Sequence, residues 1–170
     1  TVTADKILIA TGARPFMPDI EGIEHAISSN EVFHLETLPA RIVIVGGGYI
    51  ANEFAGIFHQ FGAHVTLVNR SESILRGYDE QMRDRLLQIS LGKGIDFKFN
   101  AAIAAIMPDA DGTLALRMKG CDDLAADSIA LGEPATARLV RRGKLFRRHA
   151  ARGNLYGQPN QQRRHACAGR

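Results

Sequence analysis

The chain has 170 residues, 45% of them hydrophobic, and a formal net charge of +3, enough for one good core and part of a second. No apolar run reaches the length of a membrane-spanning helix. Cys121 and Cys167 lack metal-ligand or redox spacing, which predicts two unrelated thiols in a reducing, cytoplasmic compartment and no metal site.

The charge is unevenly placed. Residues 1–132 hold 11 Lys+Arg and 17 Asp+Glu, a balance of −6, whereas residues 133–170 hold 10 Lys+Arg and one acid, Glu133, a balance of +9. A basic tail of this kind suggests a nucleic-acid or membrane partner unless another origin explains it. Thr1 is not a start methionine, so a missing natural N-terminus is expected and the absence of a targeting segment from this sequence excludes no destination.

KILIATGARPFMPDIEG begins as a buried strand and breaks at Thr11-Gly12; Pro15, Pro18, Pro39 and several turn formers then make Gly12–Ala40 mostly a connector. Ile42–Val45 is a continuous apolar run, as in a strand covered on both faces. Ile50, Phe54, Ile57, Phe58 and Phe61 form one stripe of a helix that Gly62 stops. His64–Val68 reads as the next strand. Asp79 is placed to N-cap a second helix, with Met82, Leu86 and Ile89 on one face and an end near Gly92–Gly94. Ile95–Phe99 is a strand, Ile103–Met107 and Leu114–Met118 form a hairpin about Asp111-Gly112, and Leu124–Leu131 supplies a last strand or two. The order predicts an α/β, Rossmann-like dinucleotide-binding domain, a parallel sheet with helices plus a small antiparallel insert. Beyond Gly132 neither period persists and no core-forming pattern is left.

Gly46, Gly48 and Ala51 match G-x-G-x-x-A between a strand and an amphipathic helix, the context that gives this short pattern its meaning. Gly46 permits the tight turn, Gly48 lets a pyrophosphate approach the backbone, and Ala51 allows close helix–strand packing. Bare N–H groups at the helix start favour the anion. The second strand ends in Asn69 rather than the carboxylate that bonds a ribose 2′-OH, and Arg70 and Arg76 flank the loop that follows. Two guanidiniums suit a 2′-phosphate, so NADPH is expected over NADH.

ILIATGARP, ISSNEVFHLETLP, IVIVGGGYIANEFAGIF and NRSESILRGYD together resemble the central part of glutathione reductases, within the FAD-dependent pyridine nucleotide–disulfide oxidoreductases. The resemblance covers residues 1 to about 132. It implies a cofactor site of Gly46, Gly47, Gly48, Tyr49, Ile50, Glu53, Asn69, Arg70 and Arg76. In it, Tyr49 would gate the nicotinamide pocket and Glu53 would pair with a lysine beside the flavin that this chain does not contain. Thr11 and Gly12 resemble the point where the chain leaves the FAD domain and touches the flavin, or are a plain strand-end turn. Gly132 loosely matches the glycine of a segment returning to the FAD domain.

The implied organisation is the end of a first FAD-domain segment and connector over 1–40, an NADP(H)-binding domain and the start of the return to the FAD domain over 41–132, and an aberrant tail over 133–170. That tail is expected to be disordered or the product of a shifted reading frame. The family's first FAD-binding glycine motif, its C-x-x-x-x-C redox pair and its C-terminal interface domain with an acid–base histidine have no counterpart in this sequence. His25, His34, His59, His64, His149 and His165 read as ordinary polar or packed residues.

No catalytic residue is expected in this chain, and alone it should not reduce a disulfide. In a complete enzyme, hydride would pass from NADPH to FAD and electrons to a cysteine pair and then to glutathione disulfide, within a homodimer whose interface domain is missing here. The alternatives are a dihydrolipoamide, mercuric or trypanothione reductase, or a non-enzymatic fragment with a nucleic-acid-binding tail, a partner the tail's two aromatics, Phe146 and Tyr156, do little to favour. The strands KILIA and DSIAL are expected to expose apolar faces and to lower solubility.

Overall fold

The computed structural model describes Pro15, residues 17–132, and the pair His165–Ala166. The strand KILIA, Thr11, Gly12 and all but two residues of the basic tail lie outside the described residues. In chain order the elements are α1 (Ser29–Val32), β1 (Arg41–Val45), α2 (Tyr49–Gln60), β2 (His64–Val68), α3 (Glu80–Lys93), β3 (Asp96–Phe99), β4 (Ala102–Pro108), β5 (Leu114–Lys119), β6 (Leu124–Ala126), β7 (Ser128–Leu131) and β8 (His165–Ala166).

Alternation along β1 sets the architecture. Ile42 and Ile44 belong to one core, Val43 and Val45 to a second, because successive side chains leave opposite faces of a strand. Every pairing in the central sheet, ordered β7-β1-β2-β3-β8, is parallel. Ala51, Phe54, Ala55 and Phe58 of α2 pack over Ile42, Ile44, Val65 and Leu67. On the other face Val43, Val68, Ile129 and Leu131 meet Ile106, Leu116, Met118 and Ala126 of the antiparallel sheet β4-β5-β6. Helices, parallel sheet and small antiparallel sheet thus form the Rossmann-like arrangement that the element order predicts.

β7 is no exposed remnant. Ile129, Ala130 and Leu131 are at most 4% exposed, paired with β1 on one side, while Ile27 of the connector exchanges backbone bonds with Ile129 and Leu131 on the other. The expectation that DSIAL would display an apolar face is therefore corrected. The connector also carries α1, whose N-cap Ser28 forms a reciprocal capping box with Glu31.

At the start of the sheet, Arg41 Nη2 lies 2.6 Å from Asp127 Oδ1, and the Arg41 backbone N–H donates to Asp127 Oδ2 at 2.8 Å. The Arg41 side chain holds the Asp127 carboxyl below the usual carboxylate range. Both groups are largely solvated, so the pair mainly fixes the register of β7 on β1.

The inward face of α3 differs from the expected one. Met82 is 70% and Ile89 42% exposed, while Leu87 is buried. Arg83 reaches inward to donate from Nη1 to Ser73 Oγ at 3.1 Å, and Leu86 and Leu91, both half-buried, join Leu87 against the helix-side core, so of the expected face Leu86 packs inward while Met82 and Ile89 do not. Cys121 is half-buried; Cys167, the other of the two expected unrelated thiols, lies outside the described residues. Among the described residues no helix is long and apolar enough to cross a membrane.

Candidate dinucleotide site

The carboxyl ends of β1, β2 and β7 meet at one edge of the sheet, and the strand order reverses at β1, whose neighbours are β2 and β7. In open parallel sheets the crevice at such a reversal is where ligands bind.

Gly46 ends β1 with φ 126, a conformation open to glycine and strained for any other residue. Its N–H donates to Val68 O at 2.8 Å, which ties the turn to β2. Gly48 is the N-cap of α2, with no side-chain cap bond and no acid in the first turn. The carbonyls of Gly47 and Gly48 instead face Asn52, whose Nδ2 donates to them at 3.3 and 2.7 Å. The N–H groups of the first turn are left for an external acceptor, and the positive end of the helix dipole is uncompensated by any acidic side chain.

Ala51 is fully buried, and the reason is Gly132. A Cβ on Gly132 would lie 2.5 Å from Ala51 Cβ and 2.6 Å from its Cα, while the Gly132 N–H donates to Val45 O at 2.8 Å. The close approach of helix to strand that the motif's third small residue serves is therefore shared between Ala51 and a glycine far along the chain.

Tyr49, the first residue of α2, is 48% exposed at this mouth; Glu53, one turn on, is exposed, and Ile50 is half-buried against the helix-side core. At the end of β2, Asn69 is buried, and Arg70 and Arg76 project from the loop that follows, both exposed. Among the described residues neither arginine makes an ion pair or side-chain hydrogen bond. Ile74, buried, and Leu75, half-buried, anchor the loop in the core, and the Leu75 N–H donates to Gly47 O at 2.6 Å.

The structure thus gathers Gly46–Glu53, Asn69, Arg70, Arg76 and Gly132 around one crevice. Sequence reasoning did not find Asn52, Ser71, Ser73 or Arg83, which shape the crevice through contacts that no motif spacing reveals. An uncapped helix start, a turn of three glycines and two uncommitted guanidiniums fit a dinucleotide that carries a phosphate on its ribose. Gly46–Gly48 and the first turn of α2 could hold the pyrophosphate, and Arg70 and Arg76 the 2′-phosphate.

Residues 1–149 match the family model described as pyridine nucleotide-disulphide oxidoreductase. A glutathione reductase from Burkholderia cepacia is 41% identical over 139 residues, 82% of this chain and 30% of the relative. A trypanothione reductase from Trypanosoma congolense is 42% identical over 145 residues, 84% of this chain and 29% of the relative. This chain therefore spans about three tenths of the length of these relatives. Among solved structures, the HOCl-induced flavoprotein disulfide reductase RclA from Escherichia coli superposes with a TM-score of 0.68 at 30% identity, over 75% of this chain and 30% of that one. An engineered water-forming NADPH oxidase bound to NADPH, derived from a Lactobacillus brevis enzyme, superposes with a TM-score of 0.64 at 26% identity, over 71% of this chain and 28% of that one.

Proposed function

The chain belongs to the pyridine nucleotide-disulphide oxidoreductase family, and from that premise we propose that it is the NADPH-binding central part of a flavoprotein disulfide reductase acting on glutathione disulfide. The observation that carries this reading is the pair Arg70 and Arg76, exposed and without an ion pair among the described residues, beside an uncapped glycine turn.

The engineered NADPH oxidase supports it. Its substitutions introduce an alanine and then, 18, 19, 20 and 25 residues on, an alanine in place of an aspartate, an arginine, a serine and an arginine. Ala51 of this chain is followed at the same intervals by Asn69, Arg70, Ser71 and Arg76. The shared features are the loss of a carboxylate at the end of the second strand and two cations six residues apart, the pattern that electrostatics asks of a 2′-phosphate site.

When bound, the nicotinamide supplies a hydride to the flavin of the complete enzyme. The residues of this chain bind and orient. The first turn of α2 and Gly46–Gly48 hold the pyrophosphate; Arg70 and Arg76 hold the 2′-phosphate; Tyr49 covers the nicotinamide side of the mouth. Glu53, exposed, is assigned the pairing with a lysine contributed by another segment of the enzyme, and Thr11, Gly12 and Gly132 the passages toward the FAD domain. The redox cysteine pair, the flavin-binding segments and the dimer contacts of the whole enzyme are assigned to segments beyond this chain. A trypanothione disulfide is the second reading, since the trypanothione reductase is as similar to this chain as the glutathione reductase.

Titration of the chain with each dinucleotide tests the reading. Micromolar binding of NADPH and at least hundredfold weaker binding of NADH is expected; equal affinity for the two would remove the NADPH assignment.

A further inference from the structure

Asn69 stands where a ribose-reading side chain would be expected, yet both N–H groups of its amide are already committed. Its Nδ2 donates to Ser71 Oγ at 2.9 Å and to Ser73 O at 2.8 Å, and Ser71 Oγ donates to Ser73 O at 3.2 Å. The residue is 5% exposed. Its backbone is pinned as well, the N–H donating to Lys98 O and the carbonyl accepting from the Ala101 N–H. The glycine turn presses directly upon it, for a Cβ on Gly47 would lie 2.4 Å from Asn69 Nδ2.

The far end of the loop meets the same turn. Leu75 donates its N–H to Gly47 O and holds φ 50, a left-handed conformation that a branched residue keeps only where its surroundings impose it. From α3, Arg83 Nη1 donates to Ser73 Oγ at 3.1 Å, and Arg83 Nε is buried with no hydrogen-bond partner among the described residues. Gly47 is thus the common seat of both ends of the loop that carries Arg70 and Arg76.

We propose that Asn69 is a positioning residue that does not touch the dinucleotide: its amide locks the loop onto the glycine turn, so that Arg70 and Arg76 stand at a set distance from the pyrophosphate. The inference rests on the NADPH reading above and goes beyond it by assigning preference for the 2′-phosphate to loop shape as well as to charge. An apolar side chain at this position removes the donor to Ser71 Oγ and leaves Ser73 O only the Ser71 hydroxyl, and the loop is free to relax while the glycine turn stays in place.

The test compares 2′,5′-ADP with 5′-AMP as probes of the full chain, which isolates the 2′-phosphate contribution. Asn69→Leu, which keeps the branching and adds no charge, is expected to weaken 2′,5′-ADP about tenfold or more and leave 5′-AMP within about twofold. Asn69→Asp is expected to gain no NADH affinity. A rise in NADH affinity in Asn69→Asp would show direct ribose contact and overturn the proposal. An equal loss for both probes in Asn69→Leu, or no loss for either, would overturn it too. Should Asn69→Leu fold poorly, Ser71→Ala removes one of the two acceptors and is expected to weaken 2′,5′-ADP selectively by about threefold to fivefold; no selective loss there overturns the proposal. If the unaltered chain does not distinguish 2′,5′-ADP from 5′-AMP, the NADPH reading itself has failed.

Discussion

The double substitution Arg70→Ala/Arg76→Ala is expected to lower NADPH affinity about 150-fold while NADH affinity changes by less than about threefold. A hydrogen bond to a charged partner contributes about 1.5–3 kcal/mol, and both side chains are exposed, so the lower end of that range applies. Two such contacts amount to about 3 kcal/mol, and each 1.4 kcal/mol is tenfold in affinity. Neither arginine has a protein partner among the described residues, so their removal orphans no buried group and stability should move by less than about 0.5 kcal/mol. Calorimetric titration with both dinucleotides measures the difference. Because the contacts are exposed, the discrimination should also shrink as salt rises through a few hundred millimolar. A matched loss for NADPH and NADH would place the arginines elsewhere in the binding scheme.

Gly132→Ala should instead destabilise the whole fold. The added methyl would stand 2.5 Å from Ala51 Cβ, 2.6 Å from its Cα and 2.9 Å from its N, and two of these are backbone atoms of a helix that cannot step aside. β7 cannot retreat either, since it is paired with β1 through Val45↔Leu131 and the bond from the Gly132 N–H to Val45 O. Overpacking of this kind costs about 3 kcal/mol, roughly 10 °C in Tm for a chain of this size. The displaced start of α2 should weaken NADPH and NADH alike, unlike the arginine variant. Adding Ala51→Gly removes the closest clash but not that with Cα, so partial recovery of Tm is expected. A thermal melt of these two variants beside the unaltered chain reads this directly, and an unchanged Tm for Gly132→Ala would mean that helix and strand leave room for a methyl group.

These two residues also mark what the sequence could and could not say. Arg70 and Arg76 were visible because the turn, α2 and β2 each follow a local period, which places the end of β2 from spacing alone. The same locality made Asp79 legible as the N-cap of α3, where it accepts from the Met82 N–H. The contact of Gly132 with Ala51 was not legible, since it depends on β7 joining the sheet beside β1 after the antiparallel insert has intervened. The expected face of α3 was misplaced because apolar spacing weighed Met82 and Ile89, whereas the fold turns Arg83 inward toward a serine. At Asn69 the chain position could be read, but not the amide's partners, Ser71 Oγ and Ser73 O, which depend on the path the loop takes after β2.

The pairing of β1 with β7 has a consequence in time. Arg41 and Asp127, which close that pairing, are 86 positions apart. At ribosomal rates of about 5–20 residues per second, one flank of β1 waits roughly 4 to 17 s for its partner strand. Meanwhile β1, α2 and β2 can already assemble from nearby chain, as short-range contacts form before long loops close. The floor of the crevice is then laid last, and binding competence should lag behind helix formation in a stopped-flow refolding trace. A nascent chain would be helical before it could hold a nucleotide.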